Sequence, residues 1–164
     1  MNATEIQIKI LFVCLGNICR SPAAQGIMLH LLSTEYKNLK NKIIVDSCGI
    51  IDFNAGNLPD RRMREEISKK GITLNHRART ITKNDLKNFD FIIAMDNSNY
   101  QDIIDMGGDK NKVKKMIDYV KNNKNYNEIP DPYYGGPRDF NFVIDLIEEG
   151  CKGIIESLIE KYKL

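Results

Sequence analysis

The sequence contains no tryptophan, only two histidines, four cysteines and no long run of apolar residues. A membrane-spanning helix needs about 20 consecutive apolar residues, so we expect no membrane segment. Four cysteines in 164 residues are fewer than a disulfide-built secreted scaffold usually carries. Only Cys14 and Cys19 lie close together, and His30 and His76 do not complete a zinc site with them. We therefore expect reduced thiols and no metal.

An excess of either charge is also missing. The 24 Lys and Arg residues and the 22 Asp and Glu residues leave a formal net charge of +2. This balance excludes a protein that binds nucleic acid through bulk positive charge. The N-terminus lacks the basic segment and apolar segment of a secretory signal, so we expect a cytoplasmic location. With 42% apolar residues, residues 1–164 are predicted to form a single domain, and a monomer is favoured.

Short apolar segments alternate with helical hydrophobic patterns along the chain. Strands are predicted over residues 8–13, 43–45, 89–95 and 113–117, and helices over residues 22–32, 60–70, 98–106 and 143–159. Ser21 is the expected N-cap of the first helix, with Pro22 at its first position. The alternation predicts an α/β fold in three layers, with a central four-stranded parallel sheet and helices on both faces. This is the doubly wound, flavodoxin-like arrangement, in which ligands bind at the carboxyl ends of the strands.

The loop after the first predicted strand has the sequence CLGNICRSP, from Cys14 to Pro22, and runs directly into a helix start. Backbone N–H groups of such a loop point into one concavity, and the positive end of the helix dipole adds to them. The loop lacks the Gly-x-x-x-x-Gly-Lys-Ser/Thr pattern of a nucleotide-binding loop, so we predict a phosphate-sized anion site. The residues expected to line it are Leu15, Gly16, Asn17, Ile18, Cys19 and Ser21.

Cys14 opens this loop, and Arg20 follows six residues later. A thiol held above amide donors and beside a guanidinium is driven towards the nucleophilic thiolate. The same donors bind an oxyanion next to the sulfur, and the guanidinium fork matches two phosphoryl oxygens. We interpret Cys14 as a nucleophile and Arg20 as a phosphate clamp. The alternative for Cys14 is a small apolar residue at the end of a strand.

Two sequence motifs, one near each end of the chain, are the most specific in this sequence. The first is VCLGNICRSP near the N-terminus, and the second is DPYYG, from Asp131 to Gly135. Between them occur VDS at 45–47, GN-x-PD at 56–60, GI at 71–72, H-x-AR at 76–79 and MD-x-SN at 95–99. In this order, the motifs resemble the low-molecular-weight protein tyrosine phosphatases over nearly the whole chain.

The resemblance implies hydrolysis of phosphotyrosine and small aryl phosphates through a cysteinyl-phosphate on Cys14, without a cofactor. The implied partners are phosphotyrosine-containing proteins or peptides, and the implied product is inorganic phosphate. Asp131 would be the general acid that protonates the leaving oxygen, and later the base that activates water. Without the resemblance, Asp131 would be interpreted as an ordinary turn aspartate. Ser21 would donate its hydroxyl proton towards the sulfur of Cys14.

The resemblance also implies a supporting network behind the loop. Asn17, Ser47 and His76 would hold the loop in shape, and Asp96 would support Arg20. By itself, His76 would be interpreted as an ordinary loop histidine. These residues are therefore assigned to positioning rather than to chemistry.

Three aromatic residues, Phe53, Tyr133 and Tyr134, would form apolar walls beside the substrate ring. Phe53 stands where the family commonly carries another aromatic residue, which leaves the preference between aryl and alkyl phosphates open. The resemblance further implies that Cys19 forms a reversible disulfide with Cys14 under oxidation.

Two other functions share parts of this pattern. An arsenate reductase of the same fold would use the same loop on arsenate and relay a disulfide through further cysteines. Residues 80–124 contain no cysteine, and Cys151 falls on the apolar stripe of the last predicted helix. A non-catalytic phosphotyrosine-binding module would lack the nucleophile or the acid, whereas Cys14, Arg20 and Asp131 are all present.

Overall fold

The computed structural model describes residues 5–122 and 125–164, so the segment judged for a secretory signal lies partly outside these ranges. Within them the chain forms the strands β1 (Ile8–Cys14), β2 (Ile43–Gly49), β3 (Phe91–Ala94) and β4 (Val113–Lys115). The α-helices are α1 (Arg20–Thr34), α2 (Arg61–Ser68), α3 (Lys83–Asn88), α4 (Asn97–Asp105) and α5 (Pro137–Tyr162). Short 3-10 segments cover Lys37–Leu39 and Met116–Tyr119.

The four strands form one parallel sheet in the spatial order β2-β1-β3-β4. β1 pairs with β2 along its whole length, from Ile8 opposite Ile43 to Cys14 opposite Gly49. Because the chain crosses to opposite sides of β1, the strand order reverses there, and a crevice opens at the carboxyl ends. The predicted four-stranded parallel sheet is confirmed, and Cys14 lies at the edge where ligands bind in such folds.

Alternate side chains of β1 face two separate cores. Ile10 and Phe12 pack with residues of α1, α2 and α5 on one face of the sheet. Leu11 and Val13 pack with residues of α3 and α4 on the other face. Burial on both faces explains why this strand has an almost uninterrupted apolar sequence. The predicted three layers, with helices on both faces, are therefore present.

The main differences from the predicted elements concern short or polar segments. α3 was not predicted, because its six residues KNDLKN show no apolar period; the capping box of Thr82 and Asp85 starts this helix instead. β4 ends at Lys115 and continues as a 3-10 segment. α5 begins at Pro137, ahead of the predicted start at residue 143, and Phe140 already belongs to its buried face. No helix in the described ranges is both long enough and apolar enough to cross a membrane.

The prediction that Ser21 is the N-cap of the first helix is wrong. α1 already begins at Arg20, Cys19 occupies the cap position, and no side chain caps this end. The loop turns into the helix before Ser21, so the Ser21 hydroxyl points to buried neighbours rather than to the first-turn N–H groups. The capping role is thereby excluded, and the contact with Cys14 remains.

Candidate active site

The loop of residues 14–20, which we call the cradle, borders a cavity of about 220 Å³ at the carboxyl end of the sheet. The loop after β2 and the turn at residues 131–135, which we call the Asp131 turn, complete its walls. The lining residues are Cys14, Leu15, Gly16, Ile18, Cys19, Arg20, Ile51, Phe53, Asn54, Asp131, Tyr133 and Tyr134. Nucleophile, clamp and acid candidates thus share one cavity.

The cradle backbone has the properties of an anion site. Within the described residues, the N–H groups of Gly16, Asn17, Ile18 and Cys19 find no backbone acceptor. Asn17 has a φ of 57°, in the left-handed region, and a left-handed residue in a tight loop makes successive N–H groups converge. α1 begins at Arg20, so its N-terminus adds partial positive charge. Converging donors at a helix N-terminus bind anions of phosphate size.

The sulfur of Cys14 is in contact with the Ser21 hydroxyl, with 3.0 Å between Sγ and Oγ. The same oxygen accepts an N–H from Asn17 Nδ2 at 2.7 Å and lies 3.3 Å from the Cys48 carbonyl oxygen. Because Oγ accepts from Asn17, its own proton is available to the sulfur or to this carbonyl. The arrangement has the geometry that a hydroxyl donor to a departing thiolate requires.

Asn17 is the centre of the network behind the cradle. Its Oδ1 accepts the backbone N–H of Arg79 at 3.1 Å and lies 2.9 Å from His76 Nε2. Since a backbone N–H can only donate, this contact identifies Oδ1, and Nδ2 therefore faces Ser21 and Ser47. These contacts hold Asn17 in a left-handed conformation that most residues other than glycine rarely adopt. Burial lowers the pKa of His76 and favours the neutral ring.

The sequence did not reveal two members of this network, Gln25 and Arg79. Gln25 Oε1 accepts the Ser47 hydroxyl at 2.6 Å, and Arg79 donates to Asp46 at 3.0 Å and to Asp85 at 2.9 Å. Burial opposes the charge of Arg79, but its hydrogen bond to Asp85 and the charge of Asp46 outweigh this and raise its pKa. Gln25 follows Ser21 by one helical turn, so helical spacing was the available signal.

Gly49 is a further residue that sequence reasoning missed. A Cβ at this position would lie 2.9 Å from the Leu15 carbonyl oxygen and 3.0 Å from the backbone nitrogen of Asn17. These neighbours belong to the cradle backbone, which cannot move away as a flexible side chain could. The absence of a side chain at Gly49 therefore lets β2 end directly against the cradle.

Arg20 is held rigidly, and its side chain is only 3% exposed. Its Nη1 donates to Asp96 Oδ2 at 2.8 Å and to the Ile129 carbonyl oxygen at 2.9 Å. Burial opposes the charge of Arg20, but Cys14, Asp131 and Asp96 outweigh this effect and raise its pKa. Asp96 thus contacts Arg20 as the resemblance implied. Nη1 is engaged by these two acceptors. Nη2 lies 3.6 Å from Asp131 Oδ2.

Asp131 stands at the cavity mouth with its side chain 43% exposed. Its Oδ1 accepts the backbone N–H of Tyr133 at 3.1 Å, and the turn is closed by a hydrogen bond from Gly135 N to the Pro132 carbonyl oxygen at 2.8 Å. Oδ2 lies 3.6 Å from Arg20 Nη2, which is too long for a direct hydrogen bond. The carboxyl group is therefore oriented by its own turn and stays close to the clamp without being tied to it.

The three predicted wall residues all line the cavity. Phe53 and Tyr134 are 85% and 94% exposed, and Tyr133 packs edge-on against Tyr134 with ring centroids 4.9 Å apart. Ile51 and Asn54 also line the cavity and were not singled out, although they lie in the loop after the second predicted strand. Exposed aromatic faces around a polar floor suit a substrate that combines a ring with an anion.

The four cysteines are free and buried, but they differ in position. Cys14 and Cys19 both line the cavity. Burial raises the pKa of Cys19, Cys48 and Cys151, so these three remain thiols at neutral pH. Cys151, in α5, is buried in the core on the α1 and α5 side of the sheet, as predicted. Cys48 is buried in the core on the other side, with residues of α3 and α4.

The chain is similar to known proteins over nearly its whole length. Residues 9–164 match the family model described as low molecular weight phosphotyrosine protein phosphatase. The low molecular weight protein-tyrosine-phosphatase YfkJ of Bacillus subtilis is 40% identical, over 96% of this chain and 99% of its own length.

Two solved structures extend the similarity to the fold. A protein tyrosine phosphatase from Entamoeba histolytica, with Hepes in its active site, has a TM-score of 0.88 and 40% identity, covering 96% of this chain and 100% of that chain. The Drosophila arginine phosphatase has a TM-score of 0.83 and 34% identity, covering 92% of this chain and 97% of that chain. The chain belongs to the low molecular weight phosphotyrosine protein phosphatase family.

Proposed function

We propose that this protein tyrosine phosphatase acts in two chemical steps, with Cys14 as nucleophile, Arg20 as phosphate clamp and Asp131 as general acid and base. The observation that carries the proposal is that these three side chains line one cavity, although Asp131 is far from the other two in the sequence. Converging N–H groups and a buried guanidinium next to a sulfur form a site for a phosphoryl group rather than for a metal.

In the first step, the Cys14 sulfur attacks phosphorus and the bond from phosphorus to the tyrosyl oxygen breaks. The cradle N–H groups and Arg20 bind the non-bridging oxygens, whose negative charge is spread over the group in the transition state. Asp131 gives its proton to the tyrosyl oxygen, so the leaving group departs as a neutral phenol. Its exposure at the mouth is consistent with reaching an atom outside the cradle.

In the second step, a water oxygen attacks phosphorus and the bond from sulfur to phosphorus breaks. Asp131, now a carboxylate, takes a proton from the water, and inorganic phosphate is released. The Ser21 hydroxyl, 3.0 Å from Cys14 Sγ, stabilises the departing thiolate by donating to it. Asn17, Ser47 and His76 act through Ser21 and through the cradle backbone as positioning residues.

The substrate is phosphotyrosine in proteins or peptides, and small aryl phosphates. Phe53, Tyr133 and Tyr134 supply exposed rings beside the anion site, so an aryl ester gains contacts that a short alkyl ester does not. The similarity to the Drosophila arginine phosphatase makes phosphoarginine the second substrate to compare.

Steady-state kinetics on matched peptides tests the substrate assignment. We expect turnover of the phosphotyrosine peptide, little turnover of its phosphoserine counterpart, and inhibition by vanadate. A higher kcat/KM for a phosphoarginine peptide would replace the proposed substrate. Activity lost on chelation, and regained with a metal, would contradict the metal-independent mechanism.

Two variants test the residue roles. Cys14→Ser should abolish turnover but keep phosphate binding, and retained turnover would refute the nucleophile assignment. Asp131→Ala should slow esters with poor leaving groups by about 100- to 10,000-fold, and nitrophenyl phosphate much less. An equal loss on both esters would mean that Asp131 is structural.

An arsenate reductase relay is disfavoured by the positions of the remaining thiols. Such a relay passes a disulfide along accessible cysteines, whereas Cys48 and Cys151 are buried in two different cores. Thiol-dependent turnover of arsenate would revive this alternative. The four free cysteines suit a reducing compartment, and we place the enzyme in the cytoplasm on that ground.

A further inference from the structure

Arg62, near the start of α2, occupies an unusual position between two aromatic rings. Its guanidinium carbon lies 4.8 Å from the ring centroid of Phe140 and 5.3 Å from that of Tyr133. Phe140 belongs to α5 and is fully buried in the core between this helix and the sheet, whereas Tyr133 belongs to the Asp131 turn. The Arg62 cation therefore contacts both the buried ring of Phe140 and the ring of Tyr133, which lines the cavity.

The orientation of Arg62 is set by Asp60. Arg62 Nη2 donates to Asp60 Oδ2 at 2.9 Å, and Nε donates to Oδ1 at 3.1 Å, which makes a two-point fork. The hydrogen bonds from Arg62 lower the pKa of Asp60, so the pair stays ionised down to acidic pH. Asp60 thus orients the plane of the guanidinium by contacts that do not involve Tyr133.

Asp60 in turn is fastened to the cradle. Its backbone N–H donates to the Ile18 carbonyl oxygen at 2.7 Å, and its side chain caps α2 by accepting from Arg62 N at 2.8 Å. A continuous series of contacts therefore runs from the cradle through Asp60 and Arg62 to Tyr133. Tyr133 donates its backbone N–H to Asp131 Oδ1 at 3.1 Å, so Asp131 is the last residue in this series of contacts.

We propose that Arg62 is a positioning residue that holds the Asp131 turn in register with the cradle, through its contact with the Tyr133 ring. This inference rests on the proposed function, because it concerns the placement of the general acid. Arg20 anchors the chain just before the turn, by donating to the Ile129 carbonyl oxygen at 2.9 Å, and lies 3.6 Å from Asp131 itself, whereas Arg62 contacts the turn from its other side at Tyr133. Without Arg62, Asp131 would spend less time where it can protonate the leaving oxygen.

The test compares Arg62→Met with Arg61→Met on two aryl esters. Arg61 is the matched control, since it adjoins Arg62, is 75% exposed and, within residues 5–122 and 125–164, forms an ion pair with Glu65 of its own helix and no other. For Arg62→Met we expect kcat/KM for phenyl phosphate to fall by about five- to thirtyfold, a range that matches typical cation–π strengths, and for nitrophenyl phosphate by less than about threefold. Arg61→Met should leave both values near those of the parent enzyme.

A loss that depends on the leaving group is specific to the acid, so a merely structural defect would not produce it. The inhibition constant of inorganic phosphate should stay unchanged in Arg62→Met, because the cradle is intact. Equal losses on both esters, or a matching loss of phosphate inhibition, would overturn the proposal. An inactive parent enzyme would instead overturn the proposed function.

A double-mutant cycle with Tyr133→Leu identifies the contact through which Arg62 acts. If the ring of Tyr133 carries the effect, the double variant should lose little more phenyl phosphate activity than Tyr133→Leu alone. Multiplying losses would show that Arg62 acts elsewhere and would refute the proposal. Should Arg62→Met fail to fold, the same cycle is run with Arg62→Lys, which keeps the charge but not the fork.

Discussion

Asn17 donates a side-chain N–H to the hydroxyl of Ser21 across 2.7 Å, and this hydrogen bond restricts where the Ser21 proton can point. With one lone pair of Oγ occupied, the proton is directed to Cys14 Sγ at 3.0 Å or to the Cys48 carbonyl oxygen at 3.3 Å. The sulfur becomes the stronger acceptor when it carries negative charge. Ser21 is therefore placed to stabilise the thiolate that the proposed mechanism releases from Cys14 in its second step.

Replacing Ser21 by Ala should slow breakdown of the cysteinyl-phosphate more than its formation. We expect the hydrolysis step to slow by about 10- to 1,000-fold, the range for losing one donor to a developing anion. Rapid-mixing kinetics with nitrophenyl phosphate should then show a larger burst of nitrophenol followed by slow turnover. Ser33→Ala, at an exposed position of the same helix, is the control. If both steps slow equally, Ser21 serves the cradle shape rather than the departing sulfur.

Much of this site followed from the sequence because its residues lie in one short segment. The interval from Cys14 to Ser21, between an apolar strand and a helix start, is enough to predict an anion site with a nucleophile. Asp131 could be assigned only by resemblance, since an aspartate before proline occurs in many turns. In the structure, Asp131 Oδ2 lies 3.6 Å from Arg20 Nη2, a proximity on which the proposed acid role is based and which the sequence alone does not reveal.

Residues that act through long-range contacts were invisible in the sequence. Gly49 matters because β2 ends against the cradle, and this depends on strand pairing rather than on local pattern. Arg62 looked like part of a polar helix face, and its two aromatic partners come from the distant segment that forms the Asp131 turn and α5. α3 escaped notice because a capping box, not an apolar period, defines it.

Gly49→Ala should damage the cradle although it adds only one methyl group. The new Cβ would lie 2.9 Å from the Leu15 carbonyl oxygen, so the cradle backbone must shift. We expect a loss of about 1–3 kcal/mol in the free energy of unfolding, as for other overpacked positions, together with weaker phosphate binding. Urea unfolding and phosphate inhibition measure the two effects.

Gly136→Ala, where a Cβ would meet no atom within 4 Å, is the control. Unchanged phosphate binding in Gly49→Ala would contradict this reasoning.

The ion pair between Asp85 and Arg79 should make stability depend on acid pH. Burial alone would raise the pKa of Asp85, but hydrogen bonds from Arg79 and Thr82 outweigh it, and the pKa is lowered. A lowered pKa means that the charged carboxyl stabilises the fold above its unfolded value of about 3.9, and that this contribution is lost as pH falls through the folded value.

Asp85→Asn should therefore reduce the free energy of unfolding at pH 7 by about 1.5–3 kcal/mol, as expected for hydrogen bonds to a charged group. The difference from the parent enzyme should shrink as pH falls below about 4, because the parent carboxyl is then protonated as well. Urea unfolding at pH 7, 5 and 3 gives the comparison. Asp145→Asn, on an exposed side chain, is the control. A difference that stays constant with pH would assign the role of Asp85 to its capping hydrogen bonds alone.

Oxidation offers a test of the predicted pairing of Cys14 with Cys19. Both thiols line the same cavity, and burial raises the pKa of Cys19, so Cys14 is the thiol that peroxide should oxidise first, to a sulfenic acid. Attack by the Cys19 sulfur would release water and form a disulfide, which a dithiol can reduce.

Mild peroxide should thus inactivate the parent enzyme reversibly and Cys19→Ser irreversibly, because only the parent is protected from further oxidation. Cys48→Ser, which removes a buried thiol outside the cavity lining, should recover like the parent. Full recovery of Cys19→Ser under dithiol would rule out this pairing.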